Sequence, residues 1–344
     1  MFYIKRNTKE FGPYDDRQIK DAFISGSILK RDLIRHGKTD NYISVGEFLK
    51  INNLDLKQNE ESLLEIIINI LKLKSVFFSQ LKYLKKGSEE NSIIYIVLGI
   101  VLIPVLALNF SLTPIISYIT YGIYFALIWA LVLYKLIATI QTSLKKALLI
   151  SLLTIPSIGL IYLFHETSLW TIINENLDST NLILNFTSMF FGVAIIEEFI
   201  KHVYVYFIIS RNNNVTLPRT AIFYGMIAGL TFGIYEGVEY QLSFNKTLDA
   251  NNNYFYNIIR LTSLPFFHAI WAGIGAYFAS LSFIELKFKY SFRIMGLLIP
   301  STLHAFYNTS GLNIFGITAI IISSLLLTVY LTKSYLVGKH LNNI

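Results

Sequence analysis

The run LILNFTSMFFGVAIIEEFIKHVYVYFII, residues 182 to 209, carries Glu197-Glu198-Phe199-Ile200-Lys201 inside an otherwise apolar stretch. About 20 apolar residues suffice for a helix to cross the hydrocarbon core of a bilayer. A carboxylate or ammonium at the centre of such a helix costs about 2.5–3.5 kcal/mol on insertion scales, so charges there are expected to face protein or water and to serve a function. On a helix, Lys201 reaches Glu197 four residues back and Glu198 three residues back. A salt bridge that only locks helices together is the plainer reading. What separates the two is whether other polar side chains converge at the same depth.

The composition surrounding this stretch is that of a polytopic membrane protein. Of 344 residues, 53% are hydrophobic and 15% charged, where a soluble domain carries about 25% charged residues. The net charge of +7 comes from 29 basic and 22 acidic residues. Its excess falls largely in connecting segments, which reads as a topology signal and not as a nucleic-acid surface. There is no cysteine, which excludes a thiol nucleophile, a disulfide framework and a Cys-type zinc site. The first residues have no apolar core of the signal-peptide kind, so the N-terminus is expected to stay in the cytoplasm.

Three regions follow. Residues 1–52 read as a small soluble α+β domain: Phe2-Tyr3-Ile4 as a strand, Gly12-Pro13-Tyr14 as a turn, Asp15 to Ser25 as a capped helix stopped by Gly26. The Gly-Pro-aromatic step and the later Ser-Gly-Ser-Ile resemble small GYF-type adaptor domains, although Tyr3 and Tyr42 fill positions where tryptophan is expected. That resemblance implies a cytoplasmic binding partner, and a simple tether fits the same residues. Residues 53–92 are apolar but broken by Lys72, Lys74, Lys82, Lys85 and Lys86, the pattern of a basic amphipathic segment lying on an anionic leaflet.

Residues 93–340 form the membrane bundle. Apolar runs predict eight spans, near 93–110, 115–137, 147–164, 182–209, 220–240, 257–283, 292–308 and 312–333. Every second connection is basic (Lys135, Lys145 and Lys146; Arg211 and Arg219; Lys287, Lys289 and Arg293; Lys333 and Lys339), whereas the third holds Glu166, Glu175 and Asp178. Basic connections stay in the cytoplasm, so both termini are expected there. The fold class is therefore mainly α, a polytopic bundle of about eight spans with a small soluble domain ahead of it.

Polar residues recur on the spans after the Glu pair. The fifth has Phe232 and Glu236, with glycine at 225, 229, 233 and 237; such small residues let a neighbouring helix approach closely. The sixth has His268 just after Pro265, and the seventh has His304 and Asn308 after Pro300. Each proline removes a helical hydrogen bond beside a histidine, which at membrane depth points to a hydrated pocket. With a rise of about 1.5 Å per residue, these groups overlap in depth between the membrane centre and its outer side.

Glu-Glu-x-x-Lys at 197–201, Phe-x-x-x-Glu at 232–236, His268, and His-x-x-x-Asn at 304–308 occur in that order on consecutive spans. Together they resemble the PrsW family of glutamic intramembrane proteases, grouped with CAAX prenyl endopeptidases and bacteriocin-processing proteins. The CAAX branch has Arg in the first motif and His in the second, so Lys201 and Glu236 point to the PrsW branch. The resemblance implies a bacterial inner-membrane endopeptidase cutting a single-span substrate, such as an anti-sigma factor. It implies catalytic roles for Glu197 as base, Glu198, Glu236 and His268 as water-holding or supporting groups, and His304 and Asn308 as oxyanion donors, with Lys201 in a structural ion pair with Glu198.

No cofactor is required by that scheme. Zinc is the alternative, with Glu197, Glu236, His268 and His304 as ligands. The His-Glu-x-x-His helix of zinc peptidases is absent, as are a rhomboid Gly-x-Ser-Gly and intramembrane aspartates. Outside the enzymes, a proton-coupled transporter or receptor would use buried Glu and His too. Against it, the first four spans are not repeated in the last four.

Overall fold

The computed structural model describes residues 1–6, 9–24, 27–37, 41–52, 54, 114–211, 216–243, 250–311 and 313–343. The amphipathic segment expected over 53–92 and the span expected at 93–110 lie outside the described residues, Leu54 excepted.

Alternation of apolar and polar residues in Phe2-Tyr3-Ile4 buries Phe2 and Ile4 on one face of strand β1 (Phe2–Arg6). β2 (Lys9–Tyr14), helix α1 (Asp16–Ile24), β3 (Leu33–His36), β4 (Ile43–Ser44) and α2 (Val45–Ile51) follow. The sheet is antiparallel in the order β2-β1-β3-β4. α1 begins at a reciprocal cap, in which the Gln18 amide donates to Asp15 Oδ1 at 2.7 Å and the Asp15 amide donates to Gln18 Oε1 at 2.9 Å. Ile19, Phe23, Ile34, Val45 and Leu49 close the core over Phe2 and Ile4.

The Gly12–Pro13 step, expected as a turn, lies inside β2 instead. Phe2 pairs with Tyr14 but Ile4 pairs with Phe11, so the step inserts an irregularity into the strand. β2 is an edge strand, where the missing proline N–H interrupts no ladder. Gly12 has φ 132°, and a Cβ there would stand 2.7 Å from the Phe2 carbonyl oxygen.

The bundle comprises α3 (Pro114–Ile137), α4 (Leu144–Ser157), α5 (Gly159–His165), α6 (Ser168–Asn174) and α7 (Leu182–Ser188). A π-helical segment (Met189–Ala194) leads into α8 (Ile195–Ser210), followed by α9 (Pro218–Ser243), α10 (Ala250–Ile284), a single 3-10 turn (Leu286–Phe288), α11 (Lys289–Ser310) and α12 (Ile314–Asn343). The span expected at 147–164 is the pair α4 and α5, with Pro156 at the break.

Six helical segments are long and apolar enough to cross a membrane: 115–137, 144–165, 182–210, 218–243, 258–284 and 314–338. The expected count of eight is not reached among the described residues. The seventh expected span is α11, whose 22 residues extend about 33 Å but are diluted by Ser291, Arg293, Ser301, Thr302, His304 and Asn308.

α9 and α10 form the centre, with 78% and 83% of their apolar windows buried, against 28–33% for the other four segments. Gly225, Gly229, Gly233 and Gly237 make this contact possible. They face Ala272 and Ala276, His268, Pro265, and Leu261 in turn, so the two helices run antiparallel with backbone against backbone. A Cβ on Gly229 would collide with the His268 carbonyl, and one on Gly233 with the Cα of Pro265. The ridge thereby sets the depth of His268 relative to Glu236.

Candidate active site

Glu197 and Glu198 occupy the first turn of α8, directly after the π-helical segment. Wider π turns inside α-helices recur at functional sites because they rotate the following residues out of ordinary phase. Here Glu198, Lys201, His268 and His304 all sit in the interior with side chains at most 1% exposed, whereas those of Glu197 and Glu236 are 11% and 12% exposed. The opening of the cluster is therefore on the Glu197 and Glu236 side.

Lys201 is the hub. Its Nζ lies 2.8 Å from Glu198 Oε1, 3.5 Å from Glu197 Oε2 and 2.6 Å from His268 Nδ1. An ammonium has three protons and here meets three acceptors. The charge also lies 4.4 Å from the centroid of the Phe232 ring, which assigns that aromatic a cation–π role.

His304 is held between the two glutamates. Asn308 Nδ2 donates to His304 Nε2 at 3.2 Å, so the ring proton belongs on Nδ1, which donates to Glu198 Oε1 at 3.1 Å. The Nε2 lone pair then stands 3.8 Å from Glu197 Oε2. His268 behaves differently: with Nδ1 accepting from Lys201, its Nε2 carries the proton and touches Glu236 Oε2. That contact is not an aligned hydrogen bond, and among the described residues neither buried atom has a hydrogen-bond partner.

All seven residues singled out in the sequence (Glu197, Glu198, Lys201, Glu236, His268, His304 and Asn308) thus meet in one cluster drawn from α8, α9, α10 and α11. Glu239 is exposed, in keeping with simple solvation. Two neighbours went unread in the sequence. Trp271 stacks on His304 with ring centroids 4.3 Å apart and a 14° interplanar angle, presents an edge to His268, and donates Nε1–H to Ser323 Oγ at 3.0 Å. His202 bonds the backbone carbonyls of Glu198 at 2.5 Å and Ala272 at 3.1 Å, tying α8 to α10. Their spacing, three residues after His268 and one after Lys201, is the only signal that could have found them.

One carboxylate oxygen of Glu197 and one nitrogen each of His268 and His304 lie within 4.8 Å of one another, a separation compatible with a shared cation. A family model described as PrsW family intramembrane metalloprotease matches residues 119–333. The chain belongs to that family. Comparison with curated proteins and with solved structures finds no match. The PrsW match covers the helices that supply the cluster and leaves out the N-terminal domain, and with the six apolar helices it makes the chain a multi-pass membrane protein carrying an intramembrane protease domain.

Proposed function

We propose that this PrsW-family chain is an endopeptidase that cuts a single-span membrane protein, an anti-sigma factor being one fitting class, with water activated at Glu197. The observation that carries this reading is the asymmetry of the cluster. Glu197 is the carboxylate of the α8 pair that reaches the opening, while Glu198 is closed in by Lys201 and His304.

Glu197 takes a proton from water and returns it to the leaving amine, the part a positioned carboxylate plays in general acid–base catalysis. Asn308 uses one amide proton on His304 and keeps the other for the developing oxyanion. His304 would add a second oxyanion donor only as an imidazolium, with an Nε2–H replacing the bond it now accepts from Asn308. His268, fixed by Lys201, orients Glu236 at the opposite wall of the site. Glu198 and Lys201 form the structural ion pair. The cut falls toward the acidic connection, opposite the basic end assigned to the cytoplasm, and the N-terminal domain is available there to a cytoplasmic partner.

A metal-dependent variant of the same reaction is favoured by one specific observation. The tautomer that Asn308 and Glu198 impose on His304 turns a lone pair, not a proton, toward Glu197. Glu197 and His304 could hold zinc if His304 Nε2 gave up its bond from Asn308 to the metal. His268 could join them only with its proton on Nδ1, which requires Lys201 to be the uncharged amine; Glu236 would meet the ion only by moving toward it. A bound zinc would supply Lewis acidity and a more acidic water.

Purified protein in liposomes with a single-span reporter tests both. Glu197→Gln is expected to lower turnover by about 100-fold or more, the usual size of a lost general base, while the variant keeps its melting behaviour. Turnover within a few-fold of the parent refutes the reading. A stoichiometric divalent metal, removed by chelator with loss of activity and restored by zinc, selects the metal-dependent variant; full activity in metal-free protein selects the carboxylate alone.

A further inference from the structure

Arg260 lies near the start of the 258–284 span, eight residues before His268. Its guanidinium stacks 3.9 Å from the centroid of the Tyr240 ring, one helical turn beyond Glu236. The ridge contacts fix its level: Gly237 faces the Arg260 carbonyl and Leu261, as Gly233 faces Pro265. The guanidinium is therefore just outside Glu236, on the side where the cluster opens, within electrostatic reach of Glu236 and of the Tyr307 hydroxyl. Among the described residues it forms no ion pair with a carboxylate. A partly exposed arginine held flat on an aromatic ring keeps the edge of its fork available, and that fork matches a carboxylate with two parallel hydrogen bonds.

We propose that Arg260 is a specificity residue that binds a carboxylate of the substrate, either an acidic side chain or a free C-terminus, on the outer side of the scissile bond. The proposal rests on the peptidase reading for the identity of the ligand as a peptide, but its geometry is independent of the catalytic step. Tyr240 acts as the platform that keeps the guanidinium from folding back onto Glu236. Lys201 is enclosed by Glu197, Glu198 and His268 and has no exposed surface, which leaves Arg260 as the cation placed at the opening for an acidic substrate group.

Peptide binding to the Glu197→Gln protein in detergent micelles separates this site from turnover. Peptides carry Asp, Asn or Lys at successive positions, and a second set ends in a free carboxylate or an amide, which distinguishes side chain from C-terminus. At one position, or at the free terminus, the carboxylate form is expected to bind about tenfold tighter, the size of one charge-assisted contact. Adding Arg260→Gln should remove that difference, Arg260→Lys, which keeps the charge but not the fork, should retain only part of it, and Arg260→Glu should reverse it in favour of Lys. Equal binding of all peptides, or a preference that survives Arg260→Gln, overturns the proposal. Cleavage by the parent protein is scored separately. A charge preference without cleavage removes the peptidase reading alone, whereas cleavage without a charge preference removes only the role of Arg260.

Discussion

Lys201 is shared by three acceptors from two helices, and that sharing makes it hard to replace. Removing a cation from a buried set leaves carboxylates without compensation, at a typical cost of about 3–5 kcal/mol. Lys201→Met should therefore lower the thermal midpoint in detergent sharply. Pairing it with Glu198→Gln should recover part of the loss, because the two groups sit 2.8 Å apart and share one interaction. Simple additivity of the two substitutions would show that they do not act as a pair. In the N-terminal domain, the Arg35 guanidinium, with help from Tyr42, holds the Glu10 carboxyl at about 2 against an ordinary 4.5. A depressed carboxyl stabilises the fold fully above its ordinary value and loses that contribution as pH falls toward the folded value. The Glu10 carboxyl carbon signal in a pH titration by NMR should move near pH 2, and Arg35→Gln should return it toward 4.5. The cluster residues were legible because charged and imidazole side chains are conspicuous in apolar sequence. Trp271, His202 and Arg260 were not: an aromatic among aromatics, a histidine that bonds only backbone, and an arginine at a span edge each have an ordinary explanation until their neighbours are known.

The glycines of α9 act as a unit, but their tolerance differs. A methyl on Gly229 meets backbone, the His268 carbonyl, whereas one on Gly237 comes first to the movable Leu261 Cδ2 at 3.3 Å. Gly229→Ala should separate α9 from α10, cost about 1–3 kcal/mol as an overpacked contact does, and lower turnover by shifting His268 from Glu236. Gly237→Ala should leave stability within about 1 kcal/mol and turnover close to the parent value. Melting curves and reporter cleavage for the two variants check the contrast; equal damage from both would refute the register. At this scale composition and expectation diverge where polarity and function coincide. α11 occupies the seventh expected span but is less apolar than the six long helices, because His304, Asn308 and its serines are part of what the helix presents to the bundle. The π-helical segment of Met189–Ala194 left no trace at all, since its residues are as apolar as those of any α-helical turn.

For the whole molecule, membrane class and order of motifs could be read from composition, run lengths and spacing, all of which are local in the chain. Helix pairing could not. Nothing in the sequence names α10 as the partner of the α9 glycines, because the backbone contact is made by side chains that are missing. The small domain illustrates the opposite case, in which a capping box and an alternating strand specify their elements directly and only the path of Gly12–Pro13 departs from expectation. The domain also meets the bundle: Arg31 Nη2 donates to the Phe283 carbonyl near the end of α10 at 3.4 Å. Burial lowers the basicity of that arginine, so the junction holds a cation at the rim of the basic end.

The segment preceding Glu197 has a mechanical meaning as well. A π turn is a place where a rod changes its winding without breaking, and here the change falls immediately ahead of Glu197. One continuous helix thereby presents two different faces, so the stretch nearer the acidic connection and the turn that mounts Glu197, Glu198 and Lys201 are each free to satisfy their own neighbours.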